Sequence, residues 1–358
     1  MKYKVCVYAI SKNESKFVNK WVDSMSEADK IFVLDTGSTD NTVELLKNRG
    51  VIVEEKIIDP WRFDVARNLS LDMVDSDADI CVCTDLDEIF KKGWREELEK
   101  YWEKDTTRAN YIYNWSHDEN GKPNITFYRE KIHTRDNFKW IYPVHEVLEC
   151  NKEEKVITID SIVLDHYPDN TKSRSSYLPL LELSYKENPN NDRTLHYLGR
   201  EYMYYGYYDK SIDTLIKHLQ IGTWKDERCA SMRFIGRCYM QLKRYKEAEM
   251  WFKEAIKEAP HLRDPYVELA FLYYTLKDYN NVIYYIEEAL KIKNHDKVYI
   301  NEPFSYNETV YDLLSISLYN TDKKEEALKY IEKAIEINPN NERILNNKKI
   351  ILNEIGKN

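Results

Sequence analysis

Glycine is scarce in this chain, nine in 358 residues. Neither G-x-G-x-x-G nor G-x-x-x-x-G-K-[ST] occurs, so the backbone amides of a glycine-rich loop are not available to cradle a nucleotide's phosphates. No apolar run approaches the ~20 residues that span a bilayer. Met1-Lys2-Tyr3-Lys4 leads into a strand-like run instead of a signal-peptide core, which predicts a cytoplasmic protein with no transmembrane segment. Positive charge is also short: the formal net charge is −9, which argues against nucleic acid as a partner, since phosphate-backbone binding needs clustered cations. The six cysteines (Cys6, Cys81, Cys83, Cys150, Cys229, Cys238) show no C-x-x-C spacing and no compact disulfide framework. Most sit in apolar, strand-like or helix-like positions, as small core residues of a reducing compartment do.

What is present is a globular composition, 42% hydrophobic and 32% charged, over a length that fits about two domains. Val5 to Ile10, Lys30 to Leu34 and Val51 to Ile58 read as strands separated by amphipathic helices, Ser11 to Ser24 and the segment carrying Val43, Leu45 and Leu46. A β-α-β-α-β order predicts a mainly parallel α/β sheet with right-handed crossovers. Phe63 to Val74 continues as helix, with Arg67 and Asn68 following Trp61 and Phe63.

The next strand, Asp79 to Asp87, ends in the two carboxylates of Asp85-Leu86-Asp87. Carboxylates one residue apart at the carboxyl edge of a parallel sheet suit a divalent metal carrying a diphosphate, because Mg²⁺ is usually held by one or two carboxylates plus substrate phosphates. The bland reading makes Asp85 or Asp87 the N-cap of a following helix, with Glu88 favouring its dipole. Farther on, Lys91 to Glu103 reads as helix. Tyr111 to Trp115 and Ile125 to Tyr128 flank an Asn120-Gly121 hairpin turn, and Val156 to Asp160 with Ile162 to Tyr167 reads as a further antiparallel pair.

In order and spacing, Ser11-Lys12-Asn13-Glu14, Asp35-Thr36-Gly37-Ser38-Thr39-Asp40-Asn41-Thr42, Arg67-Asn68 and Asp85-Leu86-Asp87 resemble family-2 glycosyltransferases of the GT-A fold, a Rossmann-like, mostly parallel sheet. Pro143-Val144-His145-Glu146 is similar to the "VHE" segment of a branch with C-terminal tetratricopeptide repeats, which includes bacterial enzymes that glycosylate peptide bacteriocins on cysteine or serine. The resemblance covers residues 1–170. It implies an inverting hexosyl transfer from a nucleoside-diphosphate sugar, expected to be a UDP-sugar. By it Asp35 contacts the nucleobase, the Ala9 to Glu14 loop (Ala9, Ile10, Asn13, Glu14) and Arg67 line the nucleotide pocket, Asp85 with Leu86 meets ribose or sugar, and Asp87 holds Mg²⁺ or Mn²⁺. Transfer also requires a base, for which Glu146 is the first candidate and Asp118 the second; a cysteine acceptor would depend on it less. His145 or His166 is a candidate to complete the metal shell, against the commoner role of histidine as a hydrogen-bonded structural residue. Trp140 is either a sugar platform or a buried hairpin tryptophan.

From Tyr177 onward the period is helical. Ala248, Phe252, Ala255 and Pro260 repeat the spacing of Ala327, Ile331, Ala334 and Pro339, and Gly199, Gly236, Ala270 and Ser315 mark successive units close to the 34-residue tetratricopeptide period. Residues 171–358 are therefore expected to form an all-α repeat solenoid of about four units, with its larger insertion around Lys297 to Asn307 and Glu342 to Ile355 as its cap. Such an array can present a peptide or protein acceptor, join two subunits as a homodimer, or only buttress its neighbour. The leading expectation is a metal-dependent glycosyltransferase acting on a peptide or protein. The alternatives are a saccharide or lipid-linked acceptor, an inactive repeat scaffold, and a nucleotidyltransferase, the last disfavoured by the missing glycine-rich loop.

Overall fold

Val5-Cys6-Val7-Tyr8-Ala9-Ile10-Ser11 is an unbroken run without polar alternation, and it becomes β1 (Val5–Ser11), covered on both faces as an inner strand of a parallel sheet must be. The computed structural model describes residues 3–118, 121–172, 175–294 and 297–356. They divide into two units, Met1–Ser184 with Lys297–Tyr299, and Tyr185–Asp296 with Ile300–Asn358. In the first unit β1 is followed by α1 (Ser15–Met25), β2 (Lys30–Asp35), α2 (Thr42–Asn48), β3 (Ile52–Glu55), α3 (Phe63–Asp72), β4 (Ile80–Cys83), β5 (Glu88–Phe90) and α4 (Trp94–Tyr101). Then come β6 (Arg108–His117), β7 (Pro123–Thr134), β8 (Phe138–Ile141), β9 (Val147–Cys150) and β10 (Val156–His166).

Among the described residues the main sheet has the order β3-β2-β1-β4-β7-β6-β10-β5. The first four strands are parallel, β7 runs against both β4 and β6, and β6 and β10 are parallel again. The chain winds outward from β1 to β3, then returns to the other side of β1 as β4. That reversal opens a crevice beyond the carboxyl ends of β1 and β4, where open α/β sheets take ligands. Registers pairing Ser11 with Asp35 and Tyr8 with Cys83 align the ends of β1, β2 and β4 along this edge. Helix α1 lays Val18, Trp21, Val22 and Met25, one stripe at helical spacing, into the core. The Trp21 indole N–H donates to Thr84 Oγ1 at 3.1 Å and so ties that helix to the turn leaving β4.

Two local expectations are corrected. Asp85-Leu86-Asp87 leads into the short strand β5, and α4 starts only at Trp94 behind Gly93 at φ +90°, so neither aspartate caps a helix. Val156 to Tyr167 is not a hairpin: the polar Asp160-Ser161 pair is absorbed as an irregularity between Ile159 and Val163 in one strand, β10, parallel to β6 and antiparallel to β5. The β6–β7 pairing sets Tyr113 opposite Phe127 as the hairpin requires, while Asn120 of the expected turn lies outside the described residues.

Helix α5 (Tyr177–Glu187) precedes the helix pairs of the second unit. These are α6 (Asp192–Tyr204) with α7 (Tyr208–Ile221), α8 (Lys225–Gln241) with α9 (Tyr245–Glu258), α10 (Asp264–Thr275) with α11 (Tyr279–Lys291), and α12 (Thr309–Asn320) with α13 (Lys324–Ile337), followed by α14 (Glu342–Ile355). The repeated small residues are where paired helices touch: a Cβ on Gly199 would lie 2.5 Å from Leu215 Cγ, and one on Gly236 would lie 2.6 Å from Phe252 Cε1. Ala248, Phe252 and Ala255 on α9, and Ala327, Ile331 and Ala334 on α13, are all buried, as their shared spacing predicts.

Two polar networks run through this unit. Arg233, fully buried, donates to Glu268 at 2.8 Å and to the Ile300 carbonyl at 2.7 Å, anchoring the insertion before α12. His196, His218 and Glu227 bring their ligating atoms within 4.8 Å of one another, the spacing of a candidate metal site that the sequence reading did not anticipate. Their hydrogen bonds close without an ion, however. His218 Nε2 donates to Glu227 at 3.2 Å, the Ser231 hydroxyl donates to His218 Nδ1 at 2.9 Å, and its oxygen accepts from His196 Nδ1 at 2.8 Å. Burial pushes the His196 imidazole down to about 3.

Candidate active site

The turn after β2 is built around Asp35. Its carboxylate accepts from Ser11 Oγ (2.7 Å), Gly37 N (3.0 Å), Ser38 N (2.8 Å) and Ser38 Oγ (2.5 Å), and the residue is only 1% exposed. Gly37 sits at φ +106°, which a side chain would oppose. Asn13, at φ 56°, locks the β1–α1 connection onto the same turn: its N–H donates to Ser38 Oγ at 2.8 Å and its Oδ1 accepts from Thr39 N at 2.7 Å. Asn is one of the few residues that reach this backbone region at low cost. Asp35 thus shapes a rigid rim. The Ala9 and Leu86 side chains lie in the core, which leaves their main chains for any ligand, and Ile10 is half-buried beside them.

Arg67, projecting from α3 and 3% exposed, ties three segments together. Its Nε donates to Glu146 Oε1 at 3.0 Å, Nη2 to Asp85 Oδ1 at 2.6 Å, and Nη1 to Cys83 Sγ at 3.4 Å. Burial alone would lower its basicity, but Asp85 and Glu146 outweigh burial and hold the guanidinium charged. Asp85 also accepts from Lys131 Nζ at 3.2 Å on β7. Burial would raise its carboxyl, and the two cations keep it well below the usual carboxylate range. Asp85 is therefore an anion at any working pH. Glu88 completes the string by accepting from Asp85 N and Tyr113 OH, both at 2.8 Å.

Asp87 faces His166, the last residue of β10, with Oδ2 and Nε2 3.3 Å apart. His166 Nδ1 donates to the Trp115 carbonyl at 2.9 Å, which fixes the ring and aims Nε2 at Asp87. Burial lowers the imidazole's affinity for a proton, but its bond to Asp87 wins and the pKa is raised. Of the two candidate histidines, then, His166 is set against Asp87, and His145 packs edge-on against Tyr177 at 5.6 Å. Tyr142 (φ 77°) and His145 (φ 50°) hold the β8–β9 connection in left-handed conformations immediately before Glu146, strain of the kind that collects at functional loops.

Asp118 sits in the β6–β7 turn, where its Oδ1 accepts from Lys122 N at 2.9 Å. Trp140 is not a platform: it is 2% exposed, and its indole N–H donates to Tyr8 OH at 2.9 Å. Asn68 is structural, pairing with the Trp140 main chain at 2.8 and 2.9 Å. Glu14 lies near both aspartates. Burial pushes its carboxyl up to about 7 against the pull of Lys172, with Asp87 and Asp85 adding to the rise.

Lys131, Glu88, Tyr113 and Lys172 were not anticipated from the sequence. The signal for Lys131 was there, a charged Arg129-Glu130-Lys131 run inside an inner strand, where solvated charge is out of place. In the helical unit a groove of about 490 Å³ is lined by Met203, Tyr208, Arg237, Phe252, Phe271 and Phe304 among others.

Residues 6–152 match the model of Glycosyl transferase family 2. Residues 234–262, 264–296 and 309–341 match Tetratricopeptide repeat models. No curated protein matches the chain. Among solved structures it is similar to MamA protein (23% identity over 45% of this chain and 81% of the other, TM-score 0.37) and to a thermophilic TPR protein in Thermus thermophilus (18%, 50% and 90%, TM-score 0.38). It is also similar to pilF of Pseudomonas aeruginosa (15%, 49% and 72%, TM-score 0.39). The chain carries a family 2 glycosyltransferase domain with a GT-A-like, mostly parallel sheet, followed by an all-helical tetratricopeptide-repeat region, and its enzymatic class is glycosyltransferase.

Proposed function

We propose that the chain is a metal-dependent, inverting glycosyltransferase that moves a sugar from a nucleoside-diphosphate sugar, preferentially a UDP-sugar, to a peptide or protein, as in the branch that modifies bacteriocin peptides. The catalytic part is residues 1–170. The repeats, residues 171–358, present the acceptor, and the protein works in the cytoplasm; among the described residues no helix is long and apolar enough to cross a membrane.

The observation that carries the reading is the Asp87–His166 pair at the carboxyl edge of the sheet. Two donor atoms 3.3 Å apart fit neighbouring positions around an ion with ~2.1 Å bonds, and a carboxylate with an imidazole suits Mg²⁺ or, better, Mn²⁺. A bound ion of this kind would supply Lewis-acid charge for the leaving diphosphate. The chain's own residues do the rest. Asp35 and Asn13 hold the nucleoside rim rigid, and Arg67 with Lys131 fixes Asp85 as an anion beside the donor's ribose and sugar. Glu146, one oxygen held by Arg67, uses the other as base. The acceptor's lone pair forms the new bond at the anomeric carbon from the face opposite the diphosphate. The bond to the diphosphate oxygen breaks with its electron pair leaving on that oxygen, and the acceptor's proton passes to Glu146.

The test is a screen of purified protein with nucleotide-sugars, with and without Mn²⁺, scored for released nucleoside diphosphate and thermal stabilisation. Metal-dependent release from one donor, lost in Asp87→Ala, supports the reading; turnover unchanged by that substitution overturns the metal role.

A further inference from the structure

A diphosphate needs cations, and this chain has no glycine-rich loop to substitute backbone amides for them. With Arg129 set over the Tyr113 ring, Arg67 and Lys131 are the two described cations that reach Asp85 inside the crevice. Their side chains are 3% and 8% exposed, and both are already committed to Asp85. A third lies at the rim. Lys172 pairs with the Glu14 carboxylate and donates to the Lys12 carbonyl at 3.2 Å, and its side chain is 40% exposed.

The segment that carries it is drawn along the site. Tyr167 N donates to the Asp87 carbonyl at 2.8 Å, directly after His166, and Asp169 pairs with Lys16 of α1 at 2.7 Å. Residues 167–172 therefore run from Asp87 to the β1–α1 connection and deliver an ammonium group to the mouth of the crevice. Glu14 is a poor permanent partner for it. One of its oxygens, Oε2, is buried without a hydrogen bond, and the negative charge of Asp85 and Asp87 bears on it. A doubly charged, open diphosphate offers Lys172 more than Glu14 does.

We propose that Lys172 is a further donor-binding residue that grips the diphosphate, with Glu14 holding it at the rim while no donor is bound. This rests on the nucleoside-diphosphate donor reading above.

The experiment is calorimetric titration of the full chain with the diphosphates and monophosphates of uridine, guanosine and thymidine, each with Mn²⁺. Wild type should bind one diphosphate clearly. Lys172→Ala should weaken that diphosphate by about ten- to a hundredfold, the loss of one hydrogen bond between charged groups. It should leave the matching monophosphate within a fewfold and the melting temperature unchanged, and Lys172→Arg should restore most of the affinity. Glu14→Gln should bind the diphosphate at least as tightly as wild type. Unchanged diphosphate affinity in Lys172→Ala, or equal loss for mono- and diphosphate, overturns the assignment and leaves the donor reading standing. Weaker binding in Glu14→Gln overturns the holding role. If wild type binds no diphosphate, the donor reading itself fails and takes Lys172 with it.

Discussion

Replacing Arg67 by Met keeps the length and apolar stem of the side chain and removes only the guanidinium. Glu146 then loses the partner of its Oε1 at 3.0 Å, and Asp85 loses a 2.6 Å bond but keeps Lys131 at 3.2 Å. Breaking one side of a buried pair costs ~3–5 kcal/mol, because the survivor is left charged and desolvated. Asp85 is a third exposed and still partnered, so only Glu146 incurs that cost in full. The expected loss is ~3 kcal/mol instead of twice that, a large part of the 5–15 kcal/mol typical of a whole domain. Guanidinium unfolding followed by tryptophan fluorescence measures it, since the guanidinium sits 5.4 Å from the Trp140 ring. Adding Glu146→Gln should return ~1–3 kcal/mol, because the orphaned charge is gone. A single mutant within ~1 kcal/mol of wild type, or a double mutant no more stable than the single, would refute the account of Arg67 as the knot of the site.

Mn²⁺ should raise the melting temperature of wild type but not of Asp87→Ala or His166→Ala, whereas His145→Ala should respond as wild type does; a response lost only in the His145 variant would reverse the choice of histidine. Gly236→Ala places a methyl 2.6 Å from Phe252 Cε1, so overpacking of ~1–3 kcal/mol should exceed the ~1 kcal/mol gained in helix propensity, and a variant more stable than wild type would contradict the close helix approach. Burial lowers His133 to about 3, so below pH ~6.5 the unfolded chain takes a proton that the folded chain refuses. Stability is then lost as pH falls, by ~2 kcal/mol at pH 5. Compared with wild type, His133→Gln should show a correspondingly flatter dependence of unfolding midpoint between pH 7 and 5, and parallel curves would sink the argument.

The fold was legible where burial is two-sided or periodic. β1, β2 and β4 read as apolar runs, and the repeats announced themselves through Ala248, Phe252 and Ala255 recurring as Ala327, Ile331 and Ala334. It was not legible at β10, because Asp160-Ser161 has turn composition and only pairing with β6 makes it a bulge. In the site, the carboxylates could be named from their place after strands, but their partners could not. Lys131 reaches Asp85 from a different strand, and Lys172 reaches Glu14 from 158 residues farther along the chain, so neither pairing leaves a local pattern. Trp140 shows the converse: an aromatic beside a candidate base looks like a platform until Tyr8 claims its N–H.

β10 is the last strand of the sheet to be synthesised, and it ends in His166. A ribosome that has delivered β1 through β9 has made a chain with both aspartates, Arg67 and Glu146 in hand, yet without the imidazole that faces Asp87 and without the strand on which β5 pairs. In an unfinished chain Arg67 and Lys131 would already hold Asp85, while Asp87 would meet cations without its imidazole. Only when β10 slots in beside β6 does the Asp85-Leu86-Asp87 turn acquire its opposite wall. Competence for transfer would therefore arrive late and all at once, with a truncated product inert toward sugar nucleotides instead of partly active.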